Sequence, residues 1–431
     1  MNQLQLFLPC AAGVEGFLAD EVHAITGATG QDLLVGRGGV MLRGMWRDAM
    51  LLNLHSRLAQ RVLVELSHTM YRSENDLYRA ASEVAWEIWF SPKETFKIEV
   101  TAQHSPLTSL NFAALKVKDA IADRFREKRH GVRPSVETHH PDVRVHLHLT
   151  TDGATIYIDT SGEALFKRGW REDKGDAPLK ETLAAAMIAA SGWNPHGDNP
   201  QPLYDPCCGS GTVLIEAAQI ARKIPAGILR RFAFEKLVPF QRHVWEVIQD
   251  EAEAAILPES PVGIYGSDIS FRMVDFAQRN AERAGVAETI NLRGGDALQR
   301  MPPTDQPGMM ILNPPYGERI AAAGSSGRNA AERMGQVERV GRETAQTEDG
   351  GEFFSQLASH WKKNYSGWSA FMLTPDLKLP SQMRLKESRR TPMWNGPIEC
   401  RLFRFDMIKG STKPRKNADG AADGNAQAGK A

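Results

Sequence analysis

The second half of the chain is predicted to be α/β, a doubly wound parallel sheet with an inserted helical pair, and an α+β region precedes it. Three observations predict this. From about residue 176, short apolar runs alternate with amphipathic helical stretches, the pattern of strands joined by helical crossovers. Before residue 160 strand-like runs and helices also recur, and "VRVHLHLTTDGATIYIDTSG" carries a hairpin signal around Asp152-Gly153, an α+β arrangement. The composition, 42% hydrophobic and 24% charged over 431 residues, is that of a globular chain long enough for two or three domains.

Composition also narrows the function classes. Lys and Arg total 52 and Asp and Glu total 52, so a nucleic-acid partner would have to be met by a local basic patch. No apolar run approaches the roughly 20 residues of a membrane span. The first residues lack the basic and continuously apolar regions of a secretory signal. The four cysteines, Cys10, Cys207, Cys208 and Cys400, show no paired spacing. Neither a disulfide framework nor a metal site is expected, and a cytoplasmic setting is.

In chain order, "LQLFLP" and "GVMLRG" read as strands and "GVEGFLADEVHAI" as a helix, giving a first unit over 1–56. A second, 57–162, opens at "RLAQRVLVEL" and continues through "SENDLYRAASEV", "TFKIEVTA" and "LNFAALKVKDAIADRFREK" to the hairpin. The third, 163–408, begins with the helix "APLKETLAAAMIAASGW", closed by Gly192. Strands then follow at "PLYD", "VGIYGSD", "TINLRGGD", "GMMIL" and "WSAFMLT", with helices between them. "RRFAFEKLVPFQRHVWEVIQDEAEAAI" is the expected helical pair, and Asn395-Gly396 marks a terminal antiparallel hairpin. Residues 321–351, rich in Gly, Ser and charge, are expected to form a mobile excursion, and 409–431 a disordered tail.

Candidate chemistry gathers at the strand ends. "YDPCCGSGT" joins a strand to a helix, and Gly209 and Gly211 let backbone approach a ligand closely. A dinucleotide fingerprint would need a third glycine, and Leu214 stands in its place. Asp205, just before the turn, would repel a pyrophosphate and suits the ammonium of an amino-acid-like ligand. Asp268 ends the next strand, where a carboxylate accepts from ribose hydroxyls, and Asp296 ends the one after. Singly, each would read as a helix cap. Three at successive strand ends point to a nucleoside-bearing cofactor.

The fourth strand ends in "NPPYGER". The Asn313 amide oxygen and the Pro314 carbonyl offer two acceptors at fixed separation, matched to the two hydrogens of a planar NH₂. Holding both turns the nitrogen lone pair toward an electrophile. Tyr316 would stack on the flat substrate face. Together these features indicate methyl transfer from S-adenosylmethionine to an sp² nitrogen.

"DPCCGSG", "SD", "GDA" and "NPPYGER" resemble the motifs of class I methyltransferases acting on amino groups. "IDTSGEALFKRGWR" joined to "APLKETLAAAMIAASGW" resembles the junction of the THUMP-domain RNA methyltransferases. Within them the likeness is to the amino-terminal half of the bacterial 23S rRNA guanine-N2 methyltransferases, from near residue 1 to about 408. The resemblance implies a ferredoxin-like region, a THUMP domain and a Rossmann-like catalytic domain. It implies that Asp205, Gly209 and Gly211 border the methionine part of S-adenosylmethionine, that Asp268 holds its ribose, and that Asp296 with Ala297 meets its adenine. Asn313, Pro314 and Tyr316 would hold a guanine. Relatives can carry a second methyltransferase domain; this chain ends after one, and no second activity is expected.

The RNA would be met by "KVKDAIADRFREKRHGVRPSVETHH" and "FKRGWRED", with Lys116, Arg124, Lys128, Arg129, Lys167 and Arg168 as phosphate contacts. Two other readings stand beside 23S rRNA methylation: a tRNA guanine-N2 methyltransferase, and a non-catalytic RNA-binding assembly factor.

Overall fold

The computed structural model describes residues 3–175, 178–315 and 348–408. Tyr316, the tail 409–431 and the excursion up to residue 347 lie outside them, while 348–351 open a helix.

The first sheet has seven strands. Its strands are β1 (Leu4–Pro9), β2 (Leu33–Gly36), β3 (Gly39–Gly44), β4 (Leu63–Met70), β5 (Phe96–Ala102), β6 (Val143–Leu149) and β7 (Gly153–Asp159). Their order is β2-β3-β1-β4-β7-β6-β5. The strand period of two sends Val143, Val145, Leu147 and Leu149 of β6 into the core. Helices α1 (Glu15–Thr26), α2 (Trp46–His55), α3 (Glu74–Glu83) and α4 (Leu110–Lys128) bury apolar residues, among them Leu18, Met50, Leu77 and Ile121, in the same core. Ser109 starts α4 by accepting from the Phe112 N–H at 3.2 Å. Strands β1 and β4 pair, Leu6 opposite Val64, so the boundary expected at residue 56 falls inside one continuous sheet.

The second sheet carries the site. It comprises β8 (Leu203–Asp205), β9 (Ile264–Asp268), β10 (Ile290–Gly294), β11 (Met309–Leu312), β12 (Ser369–Thr374), β13 (Arg389–Asn395) and β14 (Ile398–Asp406). Its order is β10-β9-β8-β11-β12-β14-β13, parallel through β12 and antiparallel beyond. Chain order reverses between β8 and β11, and a doubly wound sheet opens its ligand crevice at such a point. Helices α5 (Glu181–Ser191), α6 (Thr212–Ala221), α7 (Arg242–Ala254), α8 (Phe271–Arg283), α9 (Glu348–Asn364) and α10 (Leu379–Met383) complete the unit.

The expected helical pair is one helix, α7, preceded by a 3-10 turn at Ala233–Lys236. Pro239, without an N–H, interrupts the stretch, and only the part after it has helical spacing, with Trp245, Ile248 and Ala252 buried. Phe232 and Phe234 hold the turn against Trp245, with ring centroids 5.8 and 4.9 Å from it.

The two sheets are tied together by a buried charge network. Arg57 Nη1 donates to Glu216 on α6 at 3.1 Å and to Gln219 at 3.2 Å, while Arg168 Nε reaches the other Glu216 oxygen at 3.0 Å. The Glu216 side chain is 0% exposed and that of Arg168 1%. The Glu216 carboxyl is held below its usual range: the two guanidiniums outweigh the opposing effect of burial. The four cysteines are free thiols. No helix among the described residues is long and apolar enough to cross a membrane.

Candidate active site

Parallel pairing brings Asp205, Asp268 and the Asp296 turn to the carboxyl ends of β8, β9 and β10, and Asn313 to the end of β11. The four strands are neighbours, so residues 108 positions apart in sequence share one crevice.

The loop after β8 is shaped by these acids. Asp205 Oδ1 accepts from the Cys207 N–H at 3.0 Å, and Asp268 Oδ2 from the Gly209 N–H at 2.9 Å. Cys208 N donates to the Ser267 carbonyl at 3.0 Å, and Gly211 N to the Cys208 carbonyl at 2.9 Å. Gly209 has φ +52° and nothing within 4 Å of where a Cβ would stand, so the ligand side of the loop is open. Gly211, at φ +87°, has no such room: a Cβ would meet that of Ala277 on α8 at 3.0 Å. Leu214 takes the place of a third glycine because its side chain packs onto Gly266 of β9, where a Cβ would meet Leu214 Cδ1 at 2.1 Å. The close helix–strand approach of a third glycine is thus achieved from the strand side, which the loop motif alone does not reveal.

Asp205 is 2% exposed, and burial raises its carboxyl to about 8; the Asp268 charge adds to the effect and the Cys207 N–H opposes it. A buried carboxyl with one backbone donor fits a cationic ligand group. Asp268 Oδ1 also accepts from Ser270 N at 2.9 Å; burial raises this carboxyl too, against its two backbone donors. Asp296 Oδ1 accepts from Leu298 N at 2.9 Å, and Ala297 is buried. Pro314 is buried and Asn313 half-buried. This set of carboxylate acceptors suits a ligand that donates from an ammonium, a diol and a ring amino group, as S-adenosylmethionine does. No group of His, Cys, Asp and Glu among the described residues is arranged to hold a metal ion. A concavity of about 470 Å³, lined by Tyr204, Tyr265, Arg293 and Arg300 among others, includes none of the residues singled out by sequence.

The basic candidates divide. Lys128 and Arg129 are exposed at the end of α4, and Lys167 is exposed beside Glu163. Lys116 is half-buried, its Nζ 5.4 Å from the Phe112 ring centroid. Arg124 is committed to Glu87, with donors at 3.1 and 2.7 Å. Arg168 is a correction: buried on Glu216, it has no path to a phosphate. One residue near the loop escaped the sequence reading. Arg171 donates to Ser210 Oγ at 2.8 Å and to Thr212 Oγ1.

Residues 5–63 match the RlmL ferredoxin-like domain, 71–159 the THUMP domain, and 168–340 the RMKL-like methyltransferase domain. The ribosomal RNA large subunit methyltransferase K/L of Psychromonas ingrahamii is 36% identical over 407 residues, 93% of this chain and 50% of the relative. That of Shewanella frigidimarina is 37% identical over 411 residues, 94% of this chain and 53% of the relative. The chain thus spans about half the length of the curated relatives it matches. Among solved structures, the methyltransferase SMU.472 complexed with SAH has a TM-score of 0.80 and 26% identity, covering 94% of this chain and 98% of its own. A Listeria monocytogenes protein named as a predicted N6-adenine-specific DNA methylase has a TM-score of 0.79 and 28% identity, covering 94% and 96%. TrmN from Thermus thermophilus, with a TM-score of 0.63 and 17% identity over 94% of this chain and 100% of its own, shares the fold. The chain thus carries matches to a ferredoxin-like, a THUMP and a methyltransferase domain, in this order.

Proposed function

We propose that this protein methylates the exocyclic N2 of a guanine in 23S rRNA, in the cytoplasm, with S-adenosylmethionine as donor. The observation that carries the reading is the convergence of Asp205, Asp268, Asp296 and Asn313-Pro314 on the ends of four adjacent parallel strands. The THUMP domain and the rRNA methyltransferase relatives support RNA, and rRNA within it, as the substrate class.

S-adenosylmethionine, when bound, supplies an electrophilic methyl group. Asp205 would receive its ammonium, Asp268 its ribose hydroxyls and Asp296 its adenine amino group, and the open side of Gly209 would leave room for the chain between them. Asn313 and the Pro314 carbonyl accept both hydrogens of the guanine NH₂ and aim its lone pair across the crevice, so positioning supplies the catalysis. A paired guanine must leave its helix to reach Asn313, which favours deproteinised or partly assembled rRNA over the finished subunit.

The test is turnover with labelled S-adenosylmethionine on 23S rRNA and on tRNA, with Asn313→Ala as control. An enzyme of this kind loses turnover in the variant and keeps RNA affinity. Label only in tRNA moves the function to a tRNA guanine-N2 methyltransferase. RNA binding without turnover in the wild type makes the protein an assembly factor.

A further inference from the structure

Three cations in "FKRGWRED" look alike in sequence, and the structure gives each a different task. Lys167 is exposed, Arg168 is buried on Glu216, and Arg171 is turned onto the glycine loop. We propose that Arg171 is a positioning residue that sets the cofactor loop from the domain junction, a proposal that rests on the reading of that loop as the S-adenosylmethionine site.

The Arg171 fork has four acceptors drawn from three places. Nε donates to Glu181 Oε1 at 2.7 Å, Nη1 to Ser210 Oγ at 2.8 Å, and Nη2 to Thr212 Oγ1 and to the Leu179 carbonyl at 3.3 Å. Its guanidinium carbon stands 5.0 Å from the Trp170 ring, and Trp170 is fully buried, so the fork is also held from below. Gly211, the cap residue of α6, has no side chain to fix the first turn. Arg171 does so from outside, gripping the hydroxyls on either side of Gly211.

Asn280 ties the same segment to the loop a second time. Asn280 Nδ2 on α8 donates to the Ser210 carbonyl at 3.1 Å and to the Asp173 carbonyl at 2.8 Å. Ser210 is therefore pinned by its hydroxyl through Arg171 and by its carbonyl through Asn280, which also holds the Asp173 carbonyl. The other end of this strap is rooted in the first sheet's unit, where Leu165 N donates to the Gln60 carbonyl at 2.8 Å, and is held from the second unit by Arg230 Nη1, which donates to the carbonyls of Ala164 at 2.8 Å and Lys167 at 3.0 Å. One short segment thus connects the RNA-side unit to the loop that separates Gly209 from α6. Lysine at 171 would keep the charge and lose the planar fork that four acceptors require.

The experiment is calorimetric titration of wild type, Arg171→Met, Arg171→Lys and Thr212→Val with S-adenosylhomocysteine, beside filter binding of deproteinised 23S rRNA and thermal melts without ligand. Arg171→Met is expected to weaken S-adenosylhomocysteine binding at least tenfold, and Arg171→Lys nearly as much. RNA affinity stays within twofold of wild type. Combined with Thr212→Val, the Arg171→Met effect is less than additive, as two ends of one contact require. Unchanged S-adenosylhomocysteine affinity in Arg171→Met overturns the proposal. So does a parallel loss of RNA binding and melting temperature, which would make Arg171 a support of the fold. A wild type that binds rRNA but not S-adenosylhomocysteine overturns the cofactor reading itself, an outcome distinct from either.

Discussion

The backbone N–H of Gly209 donates to Asp268 Oδ2 at 2.9 Å, so the acid ending the second strand of the catalytic sheet shapes the loop that follows the first. Asp268 has a double task in the proposed site: one set of lone pairs fixes the loop and the remainder faces the ribose. Hydrogen bonds to a charged group contribute about 1.5–3 kcal/mol each. Asp268→Ala is therefore expected to weaken S-adenosylhomocysteine binding by about 10- to 100-fold in calorimetry, with RNA affinity unchanged.

Asp205 predicts a pH dependence of known sign. Its folded carboxyl is raised to about 8 from an ordinary 3.8, so its contribution to stability is full below about pH 4 and is lost as pH rises through about 8. Ligand-free wild type should thus lose stability relative to Asp205→Asn between pH 5 and 8 in denaturant melts. A bound ammonium needs the carboxylate. S-adenosylhomocysteine affinity should rise by on the order of tenfold from pH 6 to 8 in the wild type and stay flat in Asp205→Asn. A flat wild-type profile would contradict the ammonium assignment.

The Arg168–Glu216 pair predicts a stability effect where the sequence reading expected an RNA effect. Removing Arg168 leaves buried Glu216 with the Arg57 guanidinium alone, and losing one partner of a buried ionic network costs up to about 3–5 kcal/mol. Arg168→Ala should lower the unfolding midpoint accordingly. The salt dependence of its RNA binding should be that of the wild type.

Lys128 and Arg129, exposed at the end of α4, are the proposed phosphate contacts. Substituting both by Ala should reduce the slope of log affinity against log salt by about 1 for each phosphate no longer neutralised, without altering which RNA is chosen. An unchanged slope would place the RNA on another face.

The placement of the strand-end motifs was legible because each is local: a carboxylate, a glycine pair or Asn-Pro-Pro marks the end of its strand within a few residues. The parallel sheet that gathers them was legible from the strand–helix alternation. What the sequence hid is held by distant partners. Arg57 and Glu216 are 159 positions apart, and nothing around either residue names the other. Arg168 and Arg171 share one basic run, and only tertiary packing assigns the first to Glu216 and the second to the loop. The pairing of β1 with β4 was likewise invisible, since a strand's alternation does not name its neighbour. Gly266 carries no motif, and its task exists only because Leu214 packs on it.

The most direct measurement is nucleoside analysis of deproteinised 23S rRNA after incubation with the protein and labelled S-adenosylmethionine. Label is expected in N2-methylguanosine and is expected to disappear with Asn313→Ala. Label confined to N6-methyladenosine, or no label in the RNA, would contradict guanine-N2 methylation.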